Sequence, residues 1–152
     1  MKALIVYDSV YGNTEKIAKA IGGAIAGEVK VLRTGEVNPS ELEAIELLIV
    51  GSPTHGGRAT PAIQEFLNKF QESALKGIKV AAFDTRFSGI KGTLVGIFGY
   101  AAGRIADSLK RKGGTLVVSP EGFSVKGTKG PLGEGELERA ASWAKGIVAS
   151  KK

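Results

Sequence analysis

The sequence predicts an α/β fold, a three-layer α/β/α sandwich in which a five-stranded parallel sheet lies between two layers of helices. Two observations carry this prediction. Five short apolar runs are each bounded by Gly, Pro, Ser or Asp, and their length suits buried strands rather than helices. Helical patterns separate these runs along the whole chain, and such alternation is typical of parallel βαβ units.

The predicted strands differ in their patterning. The first, third and fourth runs are apolar without alternation, as expected of strands that helices cover on both faces. The second run alternates in part, because Glu28 and Lys30 interrupt it, and this favours the edge of the sheet. The five runs are Ala3–Tyr7, Val29–Leu32, Leu47–Val50, Val80–Phe83 and Leu116–Val118.

Four helices are predicted between and after these strands, with a weaker one near residues 38–44. Thr60 suits an N-cap with Pro61 at the first helical position, and Gly113 ends the third helix. Trp143 is expected to pack the last helix onto the sheet. The apolar positions at helical spacing are Ile17, Ile21, Ala24 and Ile25; Ile63, Phe66, Leu67 and Phe70; Ala101, Ile105 and Leu109; and Leu137, Ala141, Ala144, Ile147 and Val148.

Length and composition limit the class of protein. We expect residues 1–152 to fold as a single domain. The chain has no cysteine, which excludes disulfides, thiolate metal sites and cysteine nucleophiles. The net charge of +6 is dispersed rather than clustered among aromatic residues, so no nucleic-acid partner is expected. No apolar run approaches the roughly 20 residues that span a bilayer, and no signal-peptide pattern opens the chain. We therefore expect a cytoplasmic protein without a membrane partner.

A ligand site is expected at one edge of the sheet. Folds of this kind bind ligands beyond the carboxyl ends of their strands, where the strand order changes direction. The loops that follow the first, third and fourth predicted strands all lie at that edge. These loops are Asp8–Thr14, Ser52–Thr60 and Asp84–Gly92.

The first loop combines polar side chains with the start of a helix. Ser9, Asn13 and Thr14 supply hydroxyl and amide donors, and Gly12 lets the backbone approach a ligand closely. The unpaired N–H groups of a helix start attract anions. The combination fits a phosphate held by neutral donors. A simple polar turn, with Asn13 or Thr14 as an ordinary N-cap, is the alternative.

Other phosphate-handling classes lack their motifs in this chain. A P-loop requires G-x-x-x-x-G-K-[ST], which does not occur. A dinucleotide fingerprint requires G-x-G-x-x-G after the first strand, where Gly12 is the single glycine. A receiver domain requires an aspartate at the end of the third strand, and this strand ends in Val50-Gly51-Ser52-Pro53.

The stretch IVYDSVYGNTEKIA, residues 5–18, resembles the flavodoxin signature. In that pattern an aromatic residue ends a strand and is followed by Ser or Thr, a small residue, Thr and Ala. Here these residues are Tyr7, Ser9, Gly12, Thr14 and Ala18. The resemblance extends along nearly the whole chain and implies a short-chain flavodoxin with strand order 2-1-3-4-5. It also implies FMN as cofactor, with its phosphate in the first loop and no cationic side chain there.

The resemblance further implies which residues meet the flavin ring. His55 takes the position of a residue, often Trp, that covers one face of the ring. Gly56 matches a glycine whose peptide rotates when the flavin is reduced. Phe87, or failing it Tyr100, is the candidate for the other face. The full implied set is Ser9, Val10, Tyr11, Gly12, Asn13, Thr14, Pro53, Thr54, His55, Gly56, Gly57, Asp84, Thr85, Arg86 and Phe87.

Basic residues lie on or beside the ring-facing loops, whereas typical flavodoxins are acidic there. They are Arg58, Arg86 and Lys91. Positive charge stabilises an anionic reduced flavin, so we expect a less reducing cofactor than in acidic flavodoxins.

The function that the resemblance implies is electron transfer between a reductase and an acceptor, with no catalytic side chain and no metal. The second hypothesis is an FMN-dependent NAD(P)H or quinone reductase. The loop Gly51-Ser52-Pro53-Thr54 is also similar to that of quinone oxidoreductases of this fold. A flavin-free interaction module that kept the fold is the third.

Overall fold

The computed structural model describes residues 1–87, 100–127 and 129–149. The weaker helix predicted near residues 38–44 is a 3-10 turn, Pro39–Leu42, preceded by another at Thr34–Glu36. The strands and α-helices are β1 (Lys2–Tyr7), α1 (Asn13–Gly23), β2 (Glu28–Arg33), β3 (Leu47–Pro53), α2 (Pro61–Asn68), β4 (Lys79–Phe87), α3 (Ala101–Arg111), β5 (Thr115–Leu116), β6 (Glu121–Val125) and α4 (Glu136–Ala149).

The strands form one parallel sheet in the order β2-β1-β3-β4-β5, and β6 also pairs with β4. The predicted strand order and the edge position of the second strand are confirmed. The register places Tyr7 beside Gly51 and Gly51 beside Phe83, so three strands end side by side. A Cβ atom on Gly51 would lie 2.0 Å from Phe83 Cζ, so only glycine fits between these strands.

The fifth position of the sheet is shared by two short strands. β5 pairs with the first two residues of β4, and β6 pairs with residues 83–87 of the same strand. The predicted run Leu116–Val118 is therefore cut short, and Pro120, which has no N–H for a ladder bond, lies in the break. Because β6 gives β4 a partner, β4 continues to Phe87, four residues beyond its predicted end.

Two apolar cores lie on opposite faces of the sheet, because side chains alternate along a strand. Leu4 and Val6 of β1 pack into the core that α2 and α3 cover. Ile5 and Tyr7 pack into the core that α1 and α4 cover. The helices therefore leave the carboxyl ends of the strands uncovered, where the predicted loops emerge.

The last helix differs from its predicted pattern at its start. Its buried stripe runs through Glu136, Ala140, Ala144 and Ile147, whereas Leu137 is exposed. Trp143 packs edge-to-face on Phe83 and Phe123 with ring centroids 6.1 Å apart, which confirms its predicted structural role. Within the described ranges, no helix has the length and apolar character that crossing a membrane requires.

Candidate cofactor site

A cavity of about 110 Å³ lies where β1, β3 and β4 end. All three predicted loops contribute to its wall, together with the end of β6. Ten of the fifteen residues predicted for the site line this one cavity, so the structure brings residues of all three loops together. The lining residues are Ser9, Val10, Tyr11, Asn13, Thr14, Pro53, Thr54, His55, Thr85, Phe87 and Val125.

The start of α1 holds backbone donors beside this cavity. Gly12 is the N-cap residue, with φ +94°, and it has no side chain with which to cap the helix. Ser9 Oγ accepts hydrogen bonds from the N–H groups of Gly12 at 3.1 Å and Glu15 at 3.3 Å. No described residue accepts one from the N–H groups of Asn13 or Thr14. Two free N–H donors and the helix dipole make this end suited to an anion.

The side chains of Asn13 and Thr14 tie the first loop to other parts of the cavity wall. Thr14 Oγ1 lies 2.7 Å from Thr85 Oγ1, and Asn13 Nδ2 donates to the carbonyl of Lys129 at 3.2 Å. Gly12 stands at the N-cap, so the assignment of Asn13 or Thr14 as an ordinary N-cap is wrong. The hydroxyl of Ser9 and one hydroxyl of the threonine pair each keep a hydrogen for a further acceptor.

A second row of contacts behind the loop fixes its backbone. The carboxylate of Asp8 accepts the N–H of Ser9 at 2.9 Å and the hydroxyl of Thr60 at 2.6 Å. Thr60 stands at the predicted N-cap position of α2, but its hydroxyl binds Asp8 instead of capping the helix. Arg33 Nη1 donates to the carbonyl of Ser9 at 3.1 Å. The first two loops are therefore joined, and the loop conformation is preorganised.

The phenol of Tyr7, at the end of β1, is hydrogen-bonded to a carboxylate of α1. Its hydroxyl donates to Glu15 Oε2 at 3.2 Å. Burial and the adjoining carboxylate raise the pKa of the phenol, so it stays protonated at neutral pH. Hydrogen bonds from Lys19 and from Tyr7 lower the pKa of Glu15 in turn.

The second loop is a tight hairpin turn. His55 and Arg58 exchange backbone hydrogen bonds of 2.8 and 3.0 Å around Gly56 and Gly57. Both glycines have positive φ, +58° and +79°, as a type I′ turn requires. The turn holds His55 at the cavity wall, while the two glycines lie outside the lining.

The third loop departs from the prediction at two residues. Asp84 is fully buried and binds Arg86 through two hydrogen bonds of 2.7 Å, and it also accepts the N–H of Ala102 at 2.8 Å. The Arg86 guanidinium lies 3.3 Å from the ring centroid of Tyr100. Neither Asp84 nor Arg86 lines the cavity, whereas Thr85 and Phe87 do. Lys91, the other predicted ring-side cation, lies outside the described residues.

The rim of the cavity is apolar and exposed. Four large apolar side chains in the described part of the chain are strongly exposed, and three of them surround this one cavity: Val10 at 53%, Tyr11 at 50% and Phe87 at 45%. Exposed apolar residues gathered at one place indicate a binding surface. The cavity therefore joins a polar floor, rich in donors, to a rim suited to a flat apolar ring.

Comparison with known proteins identifies this class of fold and site. The family model for flavodoxin matches residues 5–143, and the chain belongs to the flavodoxin family. The family is one of FMN-binding electron-transfer proteins. The predicted cofactor and the predicted family are confirmed at this level.

Individual relatives agree with the family. A flavodoxin from Clostridium saccharobutylicum is 32% identical over 89 residues, which are 56% of each chain. A putative diflavin flavoprotein from Synechocystis sp. is 35% identical over 74% of this chain and 19% of its own length. The chain thus spans about half or less of the curated relatives it matches. The structure of oxidised flavodoxin 2 from Bacillus cereus superposes with a TM-score of 0.81 at 26% identity, covering 98% of this chain and 99% of that one.

Proposed function

We propose that this chain binds FMN in the described cavity and carries electrons between a reductase and an acceptor. One observation carries the proposal: two different environments meet in a single site. The residues with free N–H groups, Asn13 and Thr14, and the exposed aromatic side chains of Tyr11 and Phe87 line the same cavity. A phosphate ester needs the first environment and a flat aromatic ring needs the second, and FMN contains both.

The phosphate end would be held by neutral donors. The N–H groups of Asn13 and Thr14 and the hydroxyl of Ser9 are positioned to donate, and Gly12 leaves no Cβ in the way. Among the residues that the structure describes, no lysine or arginine lines the cavity. Binding would therefore depend on preorganised dipoles, which need no long side chain to be ordered.

The ring end would be covered by the apolar rim. Tyr11 and Phe87 supply aromatic area, and His55 stands on the second loop beside them. Bound FMN supplies one- and two-electron redox chemistry. The chain's own part is to orient the ring, exclude water from it and present backbone groups. The peptide of Gly56 is suited to reorient, because its turn carries no side chain and nothing lies within 4 Å of a Cβ there.

The composition of the cavity favours a carrier over an enzyme. Among the described lining residues, Tyr11 and His55 are the titratable ones, and no described carboxylate lies there to pair with them for general acid–base catalysis. An electron carrier needs no such pair, because the cofactor itself exchanges the electrons.

The proposal is tested by titrating the purified chain with FMN and with riboflavin, and by following flavin fluorescence. We expect FMN to bind at least ~10-fold more tightly than riboflavin, because the loop donors bind charged phosphate. The loaded protein should accept electrons one at a time on photoreduction and pass them to ferricyanide. Equal binding of both flavins would contradict the phosphate site. Sustained NADH-dependent quinone reduction by the chain alone would instead identify a reductase.

A further inference from the structure

A larger cavity of about 300 Å³ lies between α2 and α3, away from the cofactor cavity. Three arginines line it together with polar side chains from both helices. We call it the arginine groove. Its functional groups are those of Arg58, Gln64, Asn68, Arg104, Asp107, Ser108 and Arg111.

The six arginines of the chain fall into two groups. Arg33, Arg86 and Arg139 each form an ion pair with at least one carboxylate. The other three line the groove, and no described Asp or Glu lies within ion-pair distance of any of them. Residues 88–99 contain no acidic residue that could pair with them. Within the described residues, the three groove arginines are therefore not ion-paired, and the carboxylate of Asp107, which also lines the groove, pairs with Lys110 instead.

The groove arginines are spaced for more than one anionic group. Arg104 and Arg111 are seven residues apart on α3, which is two turns and about 10 Å along one helix face. Asp107 lies between them, and its carboxylate pairs with Lys110 at 3.8 Å. Arg58 adds a third guanidinium from the second loop. A guanidinium fork matches a carboxylate in a bidentate geometry.

The groove is physically connected to the cofactor site. Arg104 Nε donates to the carbonyl of Gly57 at 2.9 Å, inside the turn that holds His55 at the cavity wall. Arg58 closes the same turn through its backbone bonds to His55. A molecule bound in the groove would thus lie beside the loop that borders the proposed flavin ring.

We infer that the arginine groove is a docking site for an acidic redox protein, one that presents at least two carboxylates about 10 Å apart. The inference rests on the proposed function, since it names the partner chemistry of an electron carrier. Exposed, unpaired charges act over a distance and accelerate encounter with an oppositely charged partner. A protein surface fits better than an enclosed small ligand, because all three arginines are exposed at an open groove.

The inference is tested with a capped hexaglutamate peptide as the probe and capped hexaglutamine as its control. Binding to the full chain is followed by backbone amide NMR shifts at 50 mM salt. We expect shifts on α2, α3 and Gly57, and their loss at 500 mM salt. The triple variant R58Q/R104Q/R111Q should bind hexaglutamate at least ~10-fold more weakly.

A matched variant separates the groove from overall charge. K76Q/K126Q/K145Q also removes three charges, but from exposed lysines outside the groove. It should weaken binding by less than about threefold. Equal losses in both triple variants, or no binding at all, would overturn the inference. So would inorganic pyrophosphate binding the groove more tightly than hexaglutamate, because that result would identify a small phosphate ligand. Since the readout does not use FMN, failure of the cofactor proposal would be seen separately.

Discussion

Arg86 and Arg104 lie on neighbouring elements, yet their charges are used differently. Arg86 is held by buried Asp84 and stacked on Tyr100. Arg104 instead donates a hydrogen bond to the carbonyl of Gly57, forms no ion pair with a described residue, and is exposed in the groove. A paired guanidinium contributes to the structure and adds little to the field outside. An unpaired one contributes little to stability and remains available for recognition.

The same distinction changes the expected electrostatics of the flavin. Arg86 was predicted to place positive charge beside the ring, but its pairing with Asp84 cancels most of that charge at a distance. Arg58 lines the groove and is not among the described lining residues of the cofactor cavity. Arg86 therefore no longer supports the prediction that the flavin is less reducing than in acidic flavodoxins.

The largest effect is expected from breaking the buried pair. Asp84→Asn leaves the Arg86 guanidinium without its carboxylate, and removing one partner of a buried pair is strongly destabilising. We expect the free energy of unfolding to fall by about 3 kcal/mol, measured by urea denaturation. Asp107→Asn, at an exposed carboxylate, is the control and should change it by less than about 0.5 kcal/mol. A loss below about 1 kcal/mol in Asp84→Asn would mean that the pairing is not structural.

The next largest effect is expected in the first loop, which we propose binds the phosphate of FMN without an arginine. Thr14→Val removes a hydroxyl that bonds Thr85 and lines the cavity. We expect the Kd for FMN to rise roughly tenfold to a hundredfold, as for loss of a hydrogen bond to a charged group. Thr115→Val, exposed on β5, should leave the Kd unchanged. If the Kd for FMN, measured by fluorescence titration, is the same in Thr14→Val as in the wild type, the first loop does not contribute to FMN binding.

A smaller effect is expected at Arg139, the other arginine held by a nearly buried carboxylate. Hydrogen bonds from Arg139, and further ones from Ser124, lower the pKa of Glu136. A carboxyl whose pKa is lower in the folded than in the unfolded chain stabilises the fold at pH values above its unfolded-state pKa. This stabilisation is lost as the pH falls through the folded-state pKa. We expect the free energy of unfolding of the wild type to exceed that of Glu136→Gln by about 1 kcal/mol at pH 7, and the difference to be smaller in acid.

That pH dependence is checked by urea denaturation from pH 7 to pH 3. Glu138→Gln, on the exposed side of the same helix turn, is the control and should follow the wild type at every pH. A difference between wild type and Glu136→Gln that stays constant as the pH falls would show that the charge of Glu136 contributes nothing.

The smallest effect is expected from the groove. Because Arg58, Arg104 and Arg111 pair with no described carboxylate, R58Q/R104Q/R111Q should change the free energy of unfolding by less than about 0.5 kcal/mol per site. Urea denaturation compares it with K76Q/K126Q/K145Q. A loss as large as that of Asp84→Asn would show that the groove arginines stabilise the fold as the paired arginine Arg86 does.

Much of the fold could be predicted because its periodicities are strong. Buried parallel strands read as apolar runs, and the helices between them show clear spacing. The strand order came from the resemblance to flavodoxins rather than from the pattern. The division of the fifth position could not be predicted, because residues 121–125 alternate weakly and their pairing with β4 is a contact distant in sequence.

That missed pairing also explains the error at Arg86. With β4 ending at Phe83, Asp84 and Arg86 were placed in a loop beside the ring. In the structure β4 continues to Phe87, so residues two apart share a face and meet as an ion pair. Val125 was missed as a lining residue for the same reason. The groove spacing of Arg104 and Arg111 was readable from helical periodicity, but the contribution of Arg58 depends on how α2 and α3 pack.

The divided fifth position has a further consequence for how copies of this molecule behave towards one another. An open sheet edge is a template on which a second chain can add a strand and start aggregation. Here one edge offers only short segments, two residues in β5 and five in β6, separated by a proline. The opposite edge, β2, carries Glu28, Lys30 and Arg33 along its length. In the part of the sheet that the structure describes, neither edge presents a long, uncharged strand, so these edges are poorly suited to pairing with strands from other copies.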